Sequence, residues 1–347
     1  MKLLVPTGYF DAGGDGCLWG VDLAAGRADL LLRYTPPEHL RVPTRGFTGG
    51  CWAPEMDSLY LAGHAAVFHV DARRWVVDGV LHLPSFNDLH HVAARGDRLY
   101  VANTGSDAID VFGLDGHFLG SHSLVPGWVL ARRMTGAAPP RSATVEENRW
   151  DAETAAGWAL TADDDGYHTP LAAREQTPYW RAKLPDRWHP NHVCLVGDDL
   201  LATCLNDGSI RDVRGFKVVM RVPELYPHDG LHREGALWFT SIDGGVWRLP
   251  WPTQGAGPER VLEVFSRTGH HGWCRGLWMD EDSFAVGLTE VRADRLPRHR
   301  WSEREPKGSE TSVLWIDRRT GELLGRVVLT DHARHSKLYS LLPWDGR

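Results

Sequence analysis

The chain has 347 residues and 42% hydrophobic content, enough to bury a substantial core and too apolar for a disordered protein. Its net charge of -7, with histidines neutral, argues against a general nucleic-acid binder. No stretch reaches the roughly 18 uninterrupted apolar residues of a membrane span, and the five cysteines form no C-x-x-C pair, which removes zinc-ribbon and disulfide-framework classes. The opening M-K-L-L-V-P-T-G-Y-F-D has no apolar run of signal-peptide length, so the expectation is a soluble, cytoplasmic protein with reduced thiols.

In chain order, five segments share one pattern: a polar or small pair, a short apolar strand, an acidic or Gly turn, and a second strand. They are G-C-W-A-P-E-M-D-S-L-Y-L-A from Gly50, H-H-V-A-A-R-G-D-R-L-Y-V-A from His90 and N-H-V-C-L-V-G-D-D-L-L-A-T from Asn191. D-G-L-H-R-E-G-A-L-W-F-T from Asp229 and R-G-L-W-M-D-E-D-S-F-A-V-G from Arg275 complete the series. A sixth copy is split across the termini, with Tyr339–Trp344 as its first strand and Lys2–Pro6 as its second. Third strands are expected at Cys17–Asp22, Ala66–Asp71, Ala108–Leu114, Ser209–Val213, Gly245–Leu249 and Thr311–Asp317. Fourth strands are expected at Asp29–Arg33, Val76–His82, Lys217–Val222 and Glu322–Leu329.

Repeated four-stranded units of this kind predict an all-β fold, a six-bladed β-propeller over residues 1–347, with the last blade closed by both chain ends. A pair of β-sandwiches is the alternative, and it leaves six aligned strand starts to be explained one by one. The sixteen tryptophans, spread from Trp19 to Trp344, fit repeated sheet packing. Two insertions interrupt the repeat. Residues 124–187 are partly acidic, with a capping-box spacing at Thr144 and Glu147 and an N-cap at Thr169-Pro170, and are expected to be a partly helical lid. Residues 292–310 form a basic loop carrying Arg292, Arg295, Arg298, Arg300, Arg304 and Lys307, expected as a solvated loop with anion binding as the alternative.

The first strand of each propeller blade lines the central channel, so the strand starts gather at one axial end. Around the ring they read Tyr339, Gly50-Cys51, His90-His91, Asn191-His192, His228-Asp229 and Arg275-Gly276, with His189 and Trp188 just before Asn191. Convergent polar groups beside small residues suit a small-molecule site. His90, His189 and His228 have the chemistry to hold a divalent ion such as Zn, Fe, Cu, Mn or Ca, whose bound water would be a nucleophile. The bland alternative is hydrogen bonding to neighbouring carbonyls or channel water. Arg275 is a candidate clamp for a carboxylate or phosphate, or else an ion-pair partner of Asp229 or Asp88. Tyr339 and Asp229 complete the catalytic candidates. Asn191, His192, His91, Trp188, Trp273 and Cys51 are the substrate-binding candidates. One residue of register decides whether His189 or His192 faces the axis.

These motifs resemble a bacterial propeller-like family known chiefly as a domain of unknown function. Its pattern is matched by Asp88-Leu89-His90, Asp186-Arg187-Trp188-His189-Pro190-Asn191, Pro227-His228, Arg275-Gly276-Leu277, Val286-Gly287-Leu288-Thr289 with Arg292, and Leu338-Tyr339. The chain departs from it at Asp229-Gly230-Leu231 and in the enlarged insertion before Asp186. The resemblance implies the propeller and supplies no reaction. Six-bladed metal-dependent lactonases resemble the chain in architecture but hold their cation mostly through Glu, Asn and Asp, of which only Asn191 and Asp229 match in kind. An axial Glu like that of strictosidine-synthase-like lyases is not found.

The expectation is therefore a propeller enzyme acting on a polar or anionic metabolite by metal-dependent hydrolysis or addition–elimination. The alternatives are a non-catalytic propeller that binds a ligand or a protein partner, and a metal-dependent oxygenase.

Overall fold

The computed structural model describes residues 1–10, 13–42, 45–83, 85–124, 186–215, 217–222, 225–291, 309–329 and 336–346. The helical lid expected within 124–187 and the basic loop of 292–310, with Arg292 through Lys307, lie almost wholly outside the described residues. No helix among the described residues is long and apolar enough to cross a membrane.

Six antiparallel sheets follow one another around the chain. Blade one holds β4 (Gly50–Trp52), β5 (Ser58–Ala62), β6 (Val67–Asp71) and β7 (Val76–Leu81). Blade two holds β8 (Leu89–Arg95), β9 (Arg98–Asn103), β10 (Ala108–Gly113) and β11 (Phe118–Ser123). Blade three holds β12 (Pro190–Val196), β13 (Asp199–Cys204), β14 (Ser209–Asp212) and β15 (Lys217–Arg221). Blade four holds β16 (Leu231–Arg233), β17 (Ala236–Ser241), β18 (Gly245–Pro250) and β19 (Glu259–Glu263). Blade five holds β20 (Trp273–Met279), β21 (Ser283–Thr289), β22 (Ser312–Asp317) and β23 (Leu323–Val328). Blade six joins β1 (Lys2–Tyr9), β2 (Gly16–Asp22) and β3 (Arg27–Tyr34) to the short segments β24 (Ser336–Leu338) and β25 (Leu342–Pro343).

The fold is thus the six-bladed propeller that the repeat implies, closed by both termini. One detail is corrected: the innermost strand of blade six is not continuous over Tyr339–Trp344. β24 and β25 pair separately with β1, at Thr7↔Leu338 and Leu4↔Leu342, and Tyr339–Leu341 bows out between them.

Burial explains why this sequence closes into a ring. Each blade's middle strands are apolar on both faces, as in β21 and β17, where every residue is buried. A strand with two apolar faces needs a sheet against each. The buried apolar residues accordingly fall into six clusters, one between each neighbouring pair of blades. Leu4 and Leu18 of blade six meet Leu59, Leu61 and Phe68 of blade one, and Leu3 and Val5 meet Ala285 and Val313 of blade five. Each buried Leu contributes about 2 kcal/mol. The outermost strands need cover on one face only, and β7 alternates exposed and half-buried residues along its length.

Among the described residues, threonine hydroxyls tie five of the six blades to the inner strand of the next. Thr48, Thr104, Thr203, Thr240 and Thr289 donate through Oγ1 to the carbonyls of Leu89, Pro190, His228, Arg275 and Leu338, at 2.7–2.8 Å for the first four.

Candidate functional site

Every blade carries an irregularity at the same point of its innermost strand. In blade two Leu89 faces Asn103 and His91 faces Ala102, leaving His90 as the extra residue. In blade three Pro190 faces Cys204 and His192 faces Thr203, leaving Asn191. In blade five Cys274 faces Leu288 and Leu277 faces Val286, so Arg275 and Gly276 stand opposite Gly287 alone. Blade four breaks between Pro227, bridged to Ser241, and Leu231, paired to Trp238, which sets His228, Asp229 and Gly230 against two residues. Blade six does the same at Tyr339–Leu341. In blade one Ala62 accepts from Thr48 N–H and donates to the Gly49 carbonyl. A bulge re-aims the side chain it carries. On blades two to six it turns His90, Asn191, His228, Arg275 and Tyr339 toward the axis.

On blades two to four the bulged residue is preceded, two positions earlier, by a non-glycine residue in the left-handed region: Asp88 (φ 52°), His189 (φ 55°) and Tyr226 (φ 50°). Such backbone costs about 1–3 kcal/mol and persists only where surroundings impose it. At His189 the cause is visible. The Asp107 carboxylate accepts the backbone N–H groups of Arg187, Trp188 and His189 at 2.6, 2.9 and 2.9 Å.

The result is a cluster that spans the axis. His90 of blade two lies 5.3 Å, ring to ring, from Tyr339 of blade six and 6.2 Å from His228 of blade four. His228 lies 6.2 Å from Tyr339. These are contacts between non-neighbouring blades, possible only across the central channel. His189 packs edge-to-face on His90 at 4.8 Å, and the Arg275 guanidinium carbon sits 4.3 Å from the Tyr339 ring and 4.4 Å from the Trp273 ring. All but Trp273 are buried.

Electrostatics distinguish the histidines. Nδ1 of His189 meets the Asp186 carboxylate at 2.5 Å, which leaves Nε2 as its second functional atom. Asn191 donates through Nδ2 to the Pro227 carbonyl at 3.2 Å, so its Oδ1 accepts the Nδ1–H of His90 at 2.8 Å. Nε2 of His90 then faces Asp88, 3.6 Å away. Burial pulls His90 down to about 4, against the opposing pull of Asp88. Burial, reinforced by the charge of Arg275, holds His228 well below the usual imidazole range. Burial works against an ionised Asp88, but Arg45 at 3.4 Å, with His90 and His64, keeps its carboxyl well below the usual range.

The expected ligand triad His90, His189 and His228 is therefore brought together, but both ring nitrogens of His90 face protein partners. Among the described residues no group of three or more His, Cys, Asp or Glu side chains is disposed to hold a metal ion.

His192, His91 and Asp229 lie elsewhere, in a belt between blades. His91 and His192 stack at 3.7 Å, and Nδ1 of His91 accepts from the Val193 N–H. Nδ1 of His192 meets Oδ1 of Asp229 at 2.5 Å, and Oδ2 of Asp229 accepts the Leu277 N–H at 2.8 Å. The register question is answered by the bulge: His189 and Asn191 join the axial cluster, and His192 joins the belt. Trp188 lies off the axis, stacked on Arg187 and Arg211 at 4.1 and 4.0 Å, with Nε1 donating to the Leu124 carbonyl. Cys51 is half-buried among apolar residues of blades one and two, and burial pushes its thiol up. Cys274 is fully buried and raised for the same reason.

Sequence reasoning missed Arg45, His64 and Asp107. Arg45 and His64 sit in connections rather than at a repeated position. Their one sequence signal is that each stands beside a glycine, at Arg45-Gly46 and Gly63-His64; at Gly46 an added Cβ would come within 2.5 Å of Gly8.

No family model matches the chain, and no curated protein matches it in sequence. Its architecture has close counterparts among solved structures. A protein of unknown function from Bacteroides caccae matches with a TM-score of 0.57 at 7% identity, covering 99% of both chains. A chain of the nidogen/laminin complex matches with a TM-score of 0.54 at 11% identity, covering 99% of this chain and 98% of its own. At these identities the likeness is one of fold.

Proposed function

We propose that the axial cluster is a small-molecule site and that the chain is an enzyme acting on a polar or anionic metabolite by acid–base chemistry. The observation that carries this is the repeated bulge of blades two to six. It gathers His90, Asn191, His228, Arg275 and Tyr339 at one end of the channel, where packing alone would be better served by apolar residues. A closed propeller needs no buried imidazoles and guanidinium at its axis, and desolvating them is costly.

The acid–base role falls to His189. An imidazole whose Nδ1–H is held by a carboxylate is fixed in orientation and tautomer, with Nε2 as its acceptor nitrogen, the arrangement used for general bases. Hydrolysis and addition–elimination are the reaction classes that need such a base beside an anion-stabilising group, here Arg275.

The test is retention. Purified protein equilibrated with a polar metabolite mixture and washed should retain a compound, identified by mass spectrometry, that Tyr339→Ala and His228→Ala variants release. Equal retention by the wild type and both variants would remove the axial site from consideration.

A further inference from the structure

We infer that the ligand of the axial site carries a carboxylate or phosphate group, seated on the guanidinium of Arg275 and hydrogen-bonded to Nδ1 of His228. This rests on the reading of the axial cluster as a small-molecule site and names the chemistry it would recognise.

Three observations converge on that corner. The first is the guanidinium's setting. Its carbon lies 4.3 Å from the Tyr339 ring and 4.4 Å from the Trp273 ring, at a residue only 7% exposed. Stacking on aromatic rings occupies the faces of the guanidinium, and its N–H donors lie in its plane. An anion that joins it approaches edge-on, as a carboxylate or phosphate does when it accepts two parallel hydrogen bonds.

The second observation is His228. It is 4% exposed, and its Nδ1 has no hydrogen-bond partner among the described residues. Buried polar atoms in native proteins are nearly always satisfied, and an orphan beside an axial channel points to a missing oxygen. Burial and the Arg275 charge keep this imidazole neutral, so an Nδ1–H can donate to an anion without the ring itself being charged.

The third is how the two residues are held. Thr240 accepts the His228 N–H through its carbonyl at 2.8 Å and donates through Oγ1 to the Arg275 carbonyl at 2.7 Å. One threonine thus fixes the backbones from which both side chains reach the axis. The Tyr339 ring lies against both, 4.3 Å from the guanidinium carbon and 6.2 Å from the His228 ring.

The experiment is calorimetric titration of the full-length chain with succinate, inorganic phosphate and uncharged erythritol, read in parallel by imidazole-nitrogen NMR. At least one anion should bind and shift the His228 resonance, and the one that does identifies the group. Arg275→Lys keeps the charge and loses the fork, so it should weaken that anion by about tenfold or more. His228→Phe should weaken it as well, while His228→Asn, which keeps a donor, should weaken it less. Anion binding that is equal in the wild type and Arg275→Lys would overturn the inference. So would erythritol binding without either anion, which would leave the small-molecule reading standing. If neither anion shifts His228 and Tyr339→Ala also fails to release any retained metabolite, both fall. Should Arg275→Lys fail to fold, the wild-type His228 shift decides alone.

Discussion

Asn191 Oδ1 lies 2.8 Å from Nδ1 of His90, joining the bulged residue of blade three to that of blade two. The amide is itself oriented by the Pro227 carbonyl at 3.2 Å, in blade four. Three consecutive blades are therefore linked through one asparagine side chain, at the point where the ring turns its polar residues inward. A single substitution there should disturb several axial groups at once.

Asn191→Leu is close in volume and removes both hydrogen bonds. It should cost about 2–3 kcal/mol, because a buried histidine nitrogen and a buried carbonyl each lose a partner. Urea unfolding measures this directly. A change below the error of the extrapolation would mean that the asparagine is not the linking element.

Asp229→Ala should act on stability and leave the axial site alone. Its carboxylate holds His192 at 2.5 Å and the Leu277 N–H at 2.8 Å, tying blade three to blade five through blade four. Removing one partner of such a buried set costs about 3–5 kcal/mol. The expected pattern is a lowered urea midpoint with metabolite retention intact at low temperature. Lost retention in a variant of unchanged stability would move Asp229 into the site.

Acid should weaken the fold well above the usual carboxylate range. Burial holds His91 and His228 well below the ordinary imidazole value and His90 down to about 4. A folded value below the unfolded one means that the unfolded chain takes protons first. The stability at stake is intact above about pH 6.5 and is lost as pH falls from there through the folded values. Each such histidine steepens the decline by up to about 1.4 kcal/mol per pH unit. Asp88, lowered by Arg45 against the cost of its burial, adds to the loss only further down. A urea midpoint that stays flat from pH 7 to pH 5 would contradict this, and His228→Asn should make the slope shallower.

Much of this was legible because the repeat writes each blade in the same phase. The third strands expected from Cys17, Ala66, Ala108, Ser209, Gly245 and Thr311 all form, within a residue of the observed starts. The gathering of His90, Asn191, His228, Arg275 and Tyr339 follows from the same phasing. The bulge was not legible, since an extra residue leaves no mark on alternation when both faces of the strand are buried. That is why the sequence leaves the choice between His189 and His192 open, and why its pattern puts Tyr339 inside a strand rather than between two. Arg45 and His64 escaped for a different reason. They reach Asp88 from connections, and only the three-dimensional ring brings them near.

Closure of the ring is a separate matter. Deleting residues 336–347 removes β24 and β25, the strand segments that pair with β1, and strips Leu338 and Leu342 from two inter-blade clusters. Loss of the closing strand should abolish cooperative thermal unfolding rather than lower its midpoint by a few degrees, as circular dichroism melts will show. A truncated chain that still melts in one sharp transition would mean that the ring does not depend on this closure.

The most direct test of the account is turnover of a polar metabolite mixture by the wild type beside Asp186→Asn and His189→Gln, followed by mass spectrometry. The account predicts a compound consumed by the wild type, consumed about tenfold to a hundredfold more slowly by Asp186→Asn, which misorients the base, and spared by His189→Gln. Consumption at the wild-type rate by His189→Gln, with its fold intact, would contradict it.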